Sequence, residues 1–262
     1  MKNCKMSKAT LLFLNAVSLL ATIILNYMFN SGMMNGVTMK TISERYYNLF
    51  TPAGYAFGIW GIIYLLLCTH IIYTIYIYRK KGDTVITNTI GKLFAVSNIA
   101  NILWVYFWLN DFIVICVIIM VLLLSMLLSI LIKIQSVKRP VSVRNLFISC
   151  PFALYAGWVS VALIANISAL LTKLNWDGWI LSGTLWTMLL IIIAGLISIY
   201  VSWKYNVAAF GMAVLWGIAG VSANNFEKDF YITVTGIVTC IIILSVCIYI
   251  ITTKIDPDLT GH

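Results

Sequence analysis

The chain has 262 residues, of which 62% are apolar and only 10% are charged, and its mean hydropathy is +1.00. A typical soluble domain is roughly 45–50% apolar and about 25% charged, so this composition excludes a soluble globular fold, a disordered chain and a disulfide scaffold. Strands of a membrane barrel alternate polar and apolar residues, and no such alternation occurs here. The composition therefore predicts an all-α fold, a polytopic bundle of membrane helices.

Eight segments are long and apolar enough to span a bilayer, which takes about 20 mostly apolar residues in a helix. All charged residues lie in the connections, at span edges or in the tails. The seventh segment is the shortest and contains three glycines. The alternative topology therefore has seven spans, with the seventh segment re-entrant. The predicted spans are Ala9–Phe29, Gly54–Tyr78, Gly91–Leu109, Phe112–Ile132, Leu146–Leu171, Gly178–Trp203, Val207–Ala223 and Phe230–Ile251.

The basic residues are concentrated on one side of this predicted topology. Thirteen of the 17 lie in the two tails and the second, fourth and sixth connections; the other four are Lys40, Arg45, Lys173 and Lys228. Because short loops rich in Lys and Arg stay cytoplasmic, both termini are predicted to be cytoplasmic. The net charge of +9 then indicates orientation, and no nucleic-acid partner is expected. A compact chain with no targeting extension favours a bacterial cytoplasmic membrane.

Polar and aromatic side chains at membrane depth are the informative minority, because an unpaired polar group in hydrocarbon costs several kcal/mol. Three spans carry such residues at helical spacing along one face. Aromatic walls with a few neutral donors and acceptors suit a flat, largely apolar ligand. The candidate ligand-binding residues are Phe57, Trp60 and Tyr64 in the second span, Asn98, Asn101 and Trp104 in the third, and Tyr155, Trp158 and Asn166 in the fifth.

Each of these residues also has a structural alternative. Trp and Tyr favour bilayer interfaces, and Asn commonly joins membrane helices. His70 is the only histidine in a span, and we expect it to pack or bridge helices rather than bind haem iron. No CxxC pair, GxSxG elbow, HExxH helix or intramembrane carboxylate pair occurs, so no metal ligand and no catalytic residue is predicted.

The three polar-aromatic spans resemble the tryptophan-rich sensory proteins, the TspO/MBR family that includes the mitochondrial translocator protein. The family has a proline turn followed by aromatics in its second helix, Asn-x-x-Trp in its third, and Pro, Tyr, Trp and Asn in its fifth. Here one proline stands in place of the usual two, and Tyr55 replaces the usual Trp. The matching residues are Pro52, Tyr55, Phe57, Trp60 and Tyr64, then Asn101, Trp104, Tyr106 and Phe107, then Pro151, Tyr155, Trp158, Ala162 and Asn166.

This resemblance implies a five-helix core over residues 1–172, followed by three additional membrane helices over residues 173–262. It implies an intramembrane sensor or binding protein whose ligand is a tetrapyrrole, porphyrin or haem-like molecule, or a sterol-like one, with no required cofactor. The connection Ser31–Ala53 would act as a lid. The expected partners are the lipid bilayer, the hydrophobic ligand and a second copy of the chain in a homodimer.

Two other classes of function stay open at this stage. The main alternative is a transporter or permease component for a small neutral or apolar solute. Coupled transport usually needs ionisable groups inside the bundle, and His70 is the one such group in a predicted span, so facilitated diffusion is favoured over coupled transport. An activity on porphyrins is the third class, because light-dependent porphyrin breakdown occurs in the family. In the additional helices, Trp216 and Asn224 repeat the spacing of Trp158 and Asn166, which hints at a partial internal repeat.

Overall fold

A computed structural model of the chain describes residues 8–32, 36–137 and 145–255, and no strand occurs among them. A 3₁₀ turn, Gly54–Gly58, leads into the third helix, and π-helical turns at Asn145–Ser149 and Ile251–Ile255 flank the sixth and ninth. The nine α-helices of the described residues are α1 Lys8–Asn30, α2 Met39–Arg45, α3 Ile59–Lys81, α4 Val85–Leu109, α5 Ile113–Ile134, α6 Cys150–Lys173, α7 Gly183–Tyr205, α8 Ala208–Asn225 and α9 Phe230–Ile250.

Seven helical stretches of the described chain are long and apolar enough to cross a membrane, and they contain α1, α3 to α7 and α9. The prediction of an all-helical, multi-pass membrane protein is therefore confirmed. The seventh predicted span, Val207–Ala223, corresponds to α8, which has 18 residues and is not among these seven stretches. Small residues such as Gly217 reduce its apolar character, and its last turn ends in Asn224 and Asn225.

Helices α7, α8 and α9 form an up-down-up unit. Only two residues separate α7 from α8, and four separate α8 from α9. The Thr184 hydroxyl near the start of α7 donates to the Asp229 carboxylate, which caps the start of α9, over 2.6 Å. Helices α7 and α9 therefore begin at the same end of the bundle, and α8 runs back between them.

Two elements differ from the sequence prediction. Helix α7 begins at Gly183 rather than Gly178, because Gly178 and Trp179 adopt positive φ angles of 81° and 55° in a turn, and Ser182 then caps the helix. Helix α2 is an extra short helix inside the predicted lid connection, started by a capping box at Thr38. Its seven residues are too few to register as a membrane span.

The most buried of the spanning helices is α6, with 67% of its most apolar window inside the bundle, against 22–44% for the others. It packs against α3, α5 and α8. Close approach to α8 depends on glycine: a Cβ on Gly157 would overlap the Phe210 carbonyl, and one on Gly217 would meet Val161 Cγ1 at 2.7 Å. Helix α6 thus holds the site residues at the centre of the bundle.

The predicted orientation depends partly on basic residues whose structure is not described. Lys8 is the first residue of α1, and Lys133 and Lys204 lie in the last turns of α5 and α7, so all three are at the ends of membrane-spanning helices. Lys2, Lys5, Lys138, Arg139 and Arg144 lie outside the described residues.

Candidate intramembrane aromatic site

Trp60 on α3 is the centre of an aromatic cluster that joins three helices. Its ring centroid lies 5.7 Å from those of Tyr64 and Trp104, 5.8 Å from that of Tyr155, and 6.3 Å from that of Trp158. Trp158 also contacts Phe57 edge to face at 6.4 Å. Offset-stacked and edge-to-face pairs at such separations are the favourable aromatic geometries; Trp60 stacks on Tyr64 and meets Tyr155 and Trp158 edge to face. The aromatic faces predicted on the second, third and fifth spans therefore meet in one cluster.

A chain of neutral hydrogen bonds closes one side of this cluster. The Asn101 amide donates to the Tyr155 hydroxyl over 2.8 Å, and its carbonyl accepts from the Asn26 amide. Asn26 also donates to the Tyr64 hydroxyl over 2.5 Å. The network thereby ties α1 to α3, α4 and α6. Asn26 was missing from the candidate residues, although an Asn inside an apolar span was a signal in the sequence.

The remaining predicted amides occupy two different places. Asn166 on α6 accepts from the Trp104 indole N–H over 3.1 Å, so it belongs to the cluster. Asn98 is buried elsewhere, where its amide donates to the Ser18 hydroxyl of α1 over 3.0 Å. The structure therefore brings eight of the nine candidate residues together and sets Asn98 apart as a contact between α1 and α4.

Two cavities adjoin the cluster, and Phe57 lines both of them. The larger has a volume of about 300 Å³ and is lined by Asn26 and Trp60 among others. The smaller has about 30 Å³ and is lined by Trp158 and Asn166 together with the connection before α3. A cavity of this size has room for no more than a few waters, so a ligand could not occupy it without movement of the surrounding side chains.

Three buried polar atoms at these cavities have no hydrogen-bond partner among the described residues. They are the indole nitrogens of Trp60 and Trp158 and the amide oxygen of Asn26. The three side chains are buried, with exposed fractions of 8%, 2% and 7%. The site therefore holds two donors and one acceptor that form no hydrogen bond with the described residues. Each such buried group costs about 1–3 kcal/mol of stability, which a ligand that pairs with it would recover.

Helix α2 covers one end of the site. Met39 lines the larger cavity and its carbonyl accepts from the Trp108 indole over 3.2 Å. Ser43 and Tyr46 line the smaller cavity. The predicted lid, Ser31–Ala53, therefore does cover the site, although residues 33–35 of it lie outside the described residues.

Asp111, in the turn between α4 and α5, fixes the end of α2. It accepts from the Tyr46 hydroxyl over 2.8 Å and from Lys173 over 2.9 Å, and Arg45 lies 3.5 Å away. Partial burial raises the pKa of this carboxyl, but the hydrogen bonds from Lys173 and Tyr46 and the charges of Lys173 and Arg45 outweigh burial, and the pKa is lowered overall. Asp111 is therefore a carboxylate at neutral pH.

Helix α8 holds residues 48–58, which we call the closing segment and which contribute Asn48, Thr51, Pro52 and Phe57 to the lining of the smaller cavity. Sequence reasoning noted Trp216 and Asn224 only as a repeated spacing, and these contacts were missed. The hydrogen bonds run from Asn225 to the Leu49 carbonyl (2.9 Å), from Asn224 to the Thr51 carbonyl (2.8 Å), from the Ala53 N–H to the Gly220 carbonyl (2.9 Å) and from Trp216 to the Ala56 carbonyl (3.0 Å).

His70 lies outside the aromatic site. Its Nδ1 is 2.9 Å from the Phe147 carbonyl, and its ring packs edge to face on Phe94 and Phe152. The expectation that His70 packs and bridges helices is confirmed. Within the described residues, no group of three or more His, Cys, Asp or Glu side chains is placed to hold a metal ion.

A comparison with known protein families identifies the family of the chain. Residues 12–250 match the TSPO-like protein family. The chain belongs to the TSPO-like family. The match begins four residues after the start of α1 and ends with α9, so it includes the additional C-terminal helices as well as the aromatic site. It confirms the resemblance drawn from the three polar-aromatic spans of this TSPO-like protein. No curated protein and no solved structure matches the chain.

Proposed function

We propose that this TSPO-like membrane protein binds a flat hydrophobic ligand, a tetrapyrrole or a sterol-like molecule, in the intramembrane aromatic site. The observation that carries the proposal is the set of unpaired atoms on Trp60, Trp158 and Asn26. A ligand with one or two polar atoms on an apolar body would complete these hydrogen bonds, while the surrounding rings stack on its faces.

Binding of such a ligand requires Phe57 to move. Small-molecule sites have volumes of roughly 300–1,000 Å³, and the larger cavity, at about 300 Å³, is at the lower limit of this range. Phe57 separates it from the smaller cavity that Trp158 and Asn166 line. Rotation of this one ring would join the two cavities and bring all three unpaired atoms to one ligand.

The finer topology is also a proposal. We infer eight crossings, because α7 and α9 begin at the same end and α8 must return between them through short turns. A helix of 18 residues is about 27 Å long, close to the roughly 30 Å of a hydrocarbon core. The excess of Lys and Arg in alternate connections supports cytoplasmic termini. We also propose that the protein lies in a bacterial cytoplasmic membrane and forms a homodimer. We propose that it needs no cofactor.

Titration of the purified protein with protoporphyrin, followed by tryptophan fluorescence, tests the proposal. We expect saturable quenching that Trp158→Ala strongly weakens. Trp158→Phe and Trp60→Phe keep an aromatic ring and remove the N–H, so each should weaken binding about fivefold, the equivalent of one hydrogen bond of roughly 1 kcal/mol. Trp203→Phe is the control, because Trp203 stacks on Tyr249 away from the site.

Quenching that never saturates, or that is equal in wild type and all site variants, would contradict ligand binding. The alternative function, transport of a small neutral or apolar solute, is favoured by one observation: Phe57 separates two cavities, as a closed constriction in a passage would. Solute flux into proteoliposomes that rises in Phe57→Ala, without saturable ligand binding, would support the transporter.

A further inference from the structure

A third cavity lies between α6 and α7, on the far side of the closing segment from the aromatic cluster. Its volume is about 580 Å³, which is within the range of small-molecule sites. Asn48 lines both this cavity and the smaller cavity of the aromatic site, so the two are neighbours with a shared wall. The apolar part of its lining comes from Ile164, Ile167, Leu171 and Leu190, and the other end from Trp176, Asp177, Trp179 and Trp186.

Three tryptophans form the wall at one end of this cavity. The Trp176 ring lies 5.3 Å from that of Trp186 and 5.8 Å from that of Trp179, at interplanar angles of 57° and 74°. The Trp186 indole N–H donates to the Gly178 carbonyl over 2.9 Å, which fixes the ring against the connection before α7. The indole N–H of Trp186 is thus engaged with protein, and the ring faces are what remains for a ligand.

Asp177 lines the same cavity as these three rings. Its carboxylate accepts from the Trp179 backbone N–H over 3.0 Å, and no ion pair of Asp177 occurs within the described residues. Asp111, by contrast, is paired with Lys173 and Arg45. A carboxylate beside several indole faces attracts a cation twice, through its charge and through the ring quadrupoles.

We propose that this cavity binds a lipophilic organic cation, with the apolar body between α6 and α7 and the charge on the tryptophan faces beside Asp177. An anionic molecule such as a porphyrin dicarboxylate or a fatty acid would meet the Asp177 charge. A zwitterionic lipid would bring its phosphate close to the same carboxylate. A lipophilic cation that carries no anionic group is not repelled by the Asp177 carboxylate. Its hydrocarbon surface can pack against the apolar wall of the cavity. The proposal does not depend on ligand binding at the aromatic site.

Equilibrium dialysis of the purified full chain in neutral detergent against tetraphenylphosphonium tests this site, with protein-free micelles as background. We expect saturable binding that Asp177→Asn weakens about fivefold, the effect of one charge about 4 Å away in water-like surroundings. The Asn side chain keeps the acceptor for the Trp179 N–H. Glu227→Gln removes an exposed charge elsewhere and should leave binding unchanged, while Trp176→Leu should weaken it.

Two further arms decide what the cavity recognises. Tetraphenylborate has the same shape with the opposite charge, and we expect that Asp177→Asn does not weaken its binding. Equal binding of tetraphenylphosphonium to wild type and Asp177→Asn would overturn the proposal, and so would its displacement by a short-chain phosphatidylcholine. Protoporphyrin quenching in the same samples should be unchanged by Asp177→Asn, so failure at one site is distinguished from failure at the other.

Discussion

Gly220→Ala tests whether α8 positions the closing segment. A Cβ on Gly220 would lie 2.9 Å from the Ala56 Cβ and 3.2 Å from the Pro52 Cβ. Carbon atoms in ordinary contact are about 3.5–4.0 Å apart, so the segment must move by roughly 0.5 Å or more away from α8. Overpacking of this size costs about 1–3 kcal/mol. Gly61→Ala is the control, because nothing lies within 4 Å of its added Cβ.

Both glycines lie inside helices, so the helix-propensity gain of alanine, about 1 kcal/mol, is common to the two variants. We therefore expect Gly220→Ala to have a free energy of unfolding about 1–3 kcal/mol below that of Gly61→Ala, measured by denaturation in mixed micelles. It should also weaken protoporphyrin binding, because the displaced segment carries Phe57. Equal stability and equal binding of the two variants would refute the positioning role of α8.

Two further predictions concern the lid and the amide network. Because the pKa of Asp111 is lowered, its contacts with Lys173 and Tyr46 stabilise the lid above the unfolded carboxyl pKa of about 3.9 and are lost as pH falls through the lowered value. Asp111→Asn should therefore speed hydrogen exchange in α2 at neutral pH and abolish this acid dependence, whereas unchanged exchange would contradict the anchoring role. Asn101→Leu leaves its hydroxyl and amide partners unpaired and should reduce the free energy of unfolding by about 1–3 kcal/mol. Wild-type stability in that variant would show that the network is dispensable.

The sequence was sufficient for the long apolar helices and for most of the aromatic cluster, but not for the short helix α2. Each spanning helix carries a long apolar run, and a 3.6-residue period places Trp60, Trp104 and Trp158 on definite faces. The spacing of residues along one helix does not predict which neighbouring helix its face contacts. The prediction grouped Asn98 with Asn101 because they are three residues apart, yet Asn98 pairs with Ser18.

Contacts between distant segments could not be read from local patterns. Asn225 meets the Leu49 carbonyl across 176 residues, and no periodicity encodes such a pairing. The start of α7 was placed five residues early because Gly178 and Ile180 read as apolar, while the positive φ of Trp179 depends on the local turn. Asn26 was visible as a polar residue in a span, but its partners come from other helices.

The most direct test of the account is a structure of the protein with protoporphyrin bound. We predict that the ligand occupies the two joined cavities and contacts both Trp60 and Trp158, with Phe57 rotated out of its present position and a ligand acceptor about 3 Å from the Trp158 indole nitrogen. A ligand bound elsewhere, with Phe57 unmoved and both indole N–H groups still unpaired, would contradict the assignment of the aromatic cluster as the binding site.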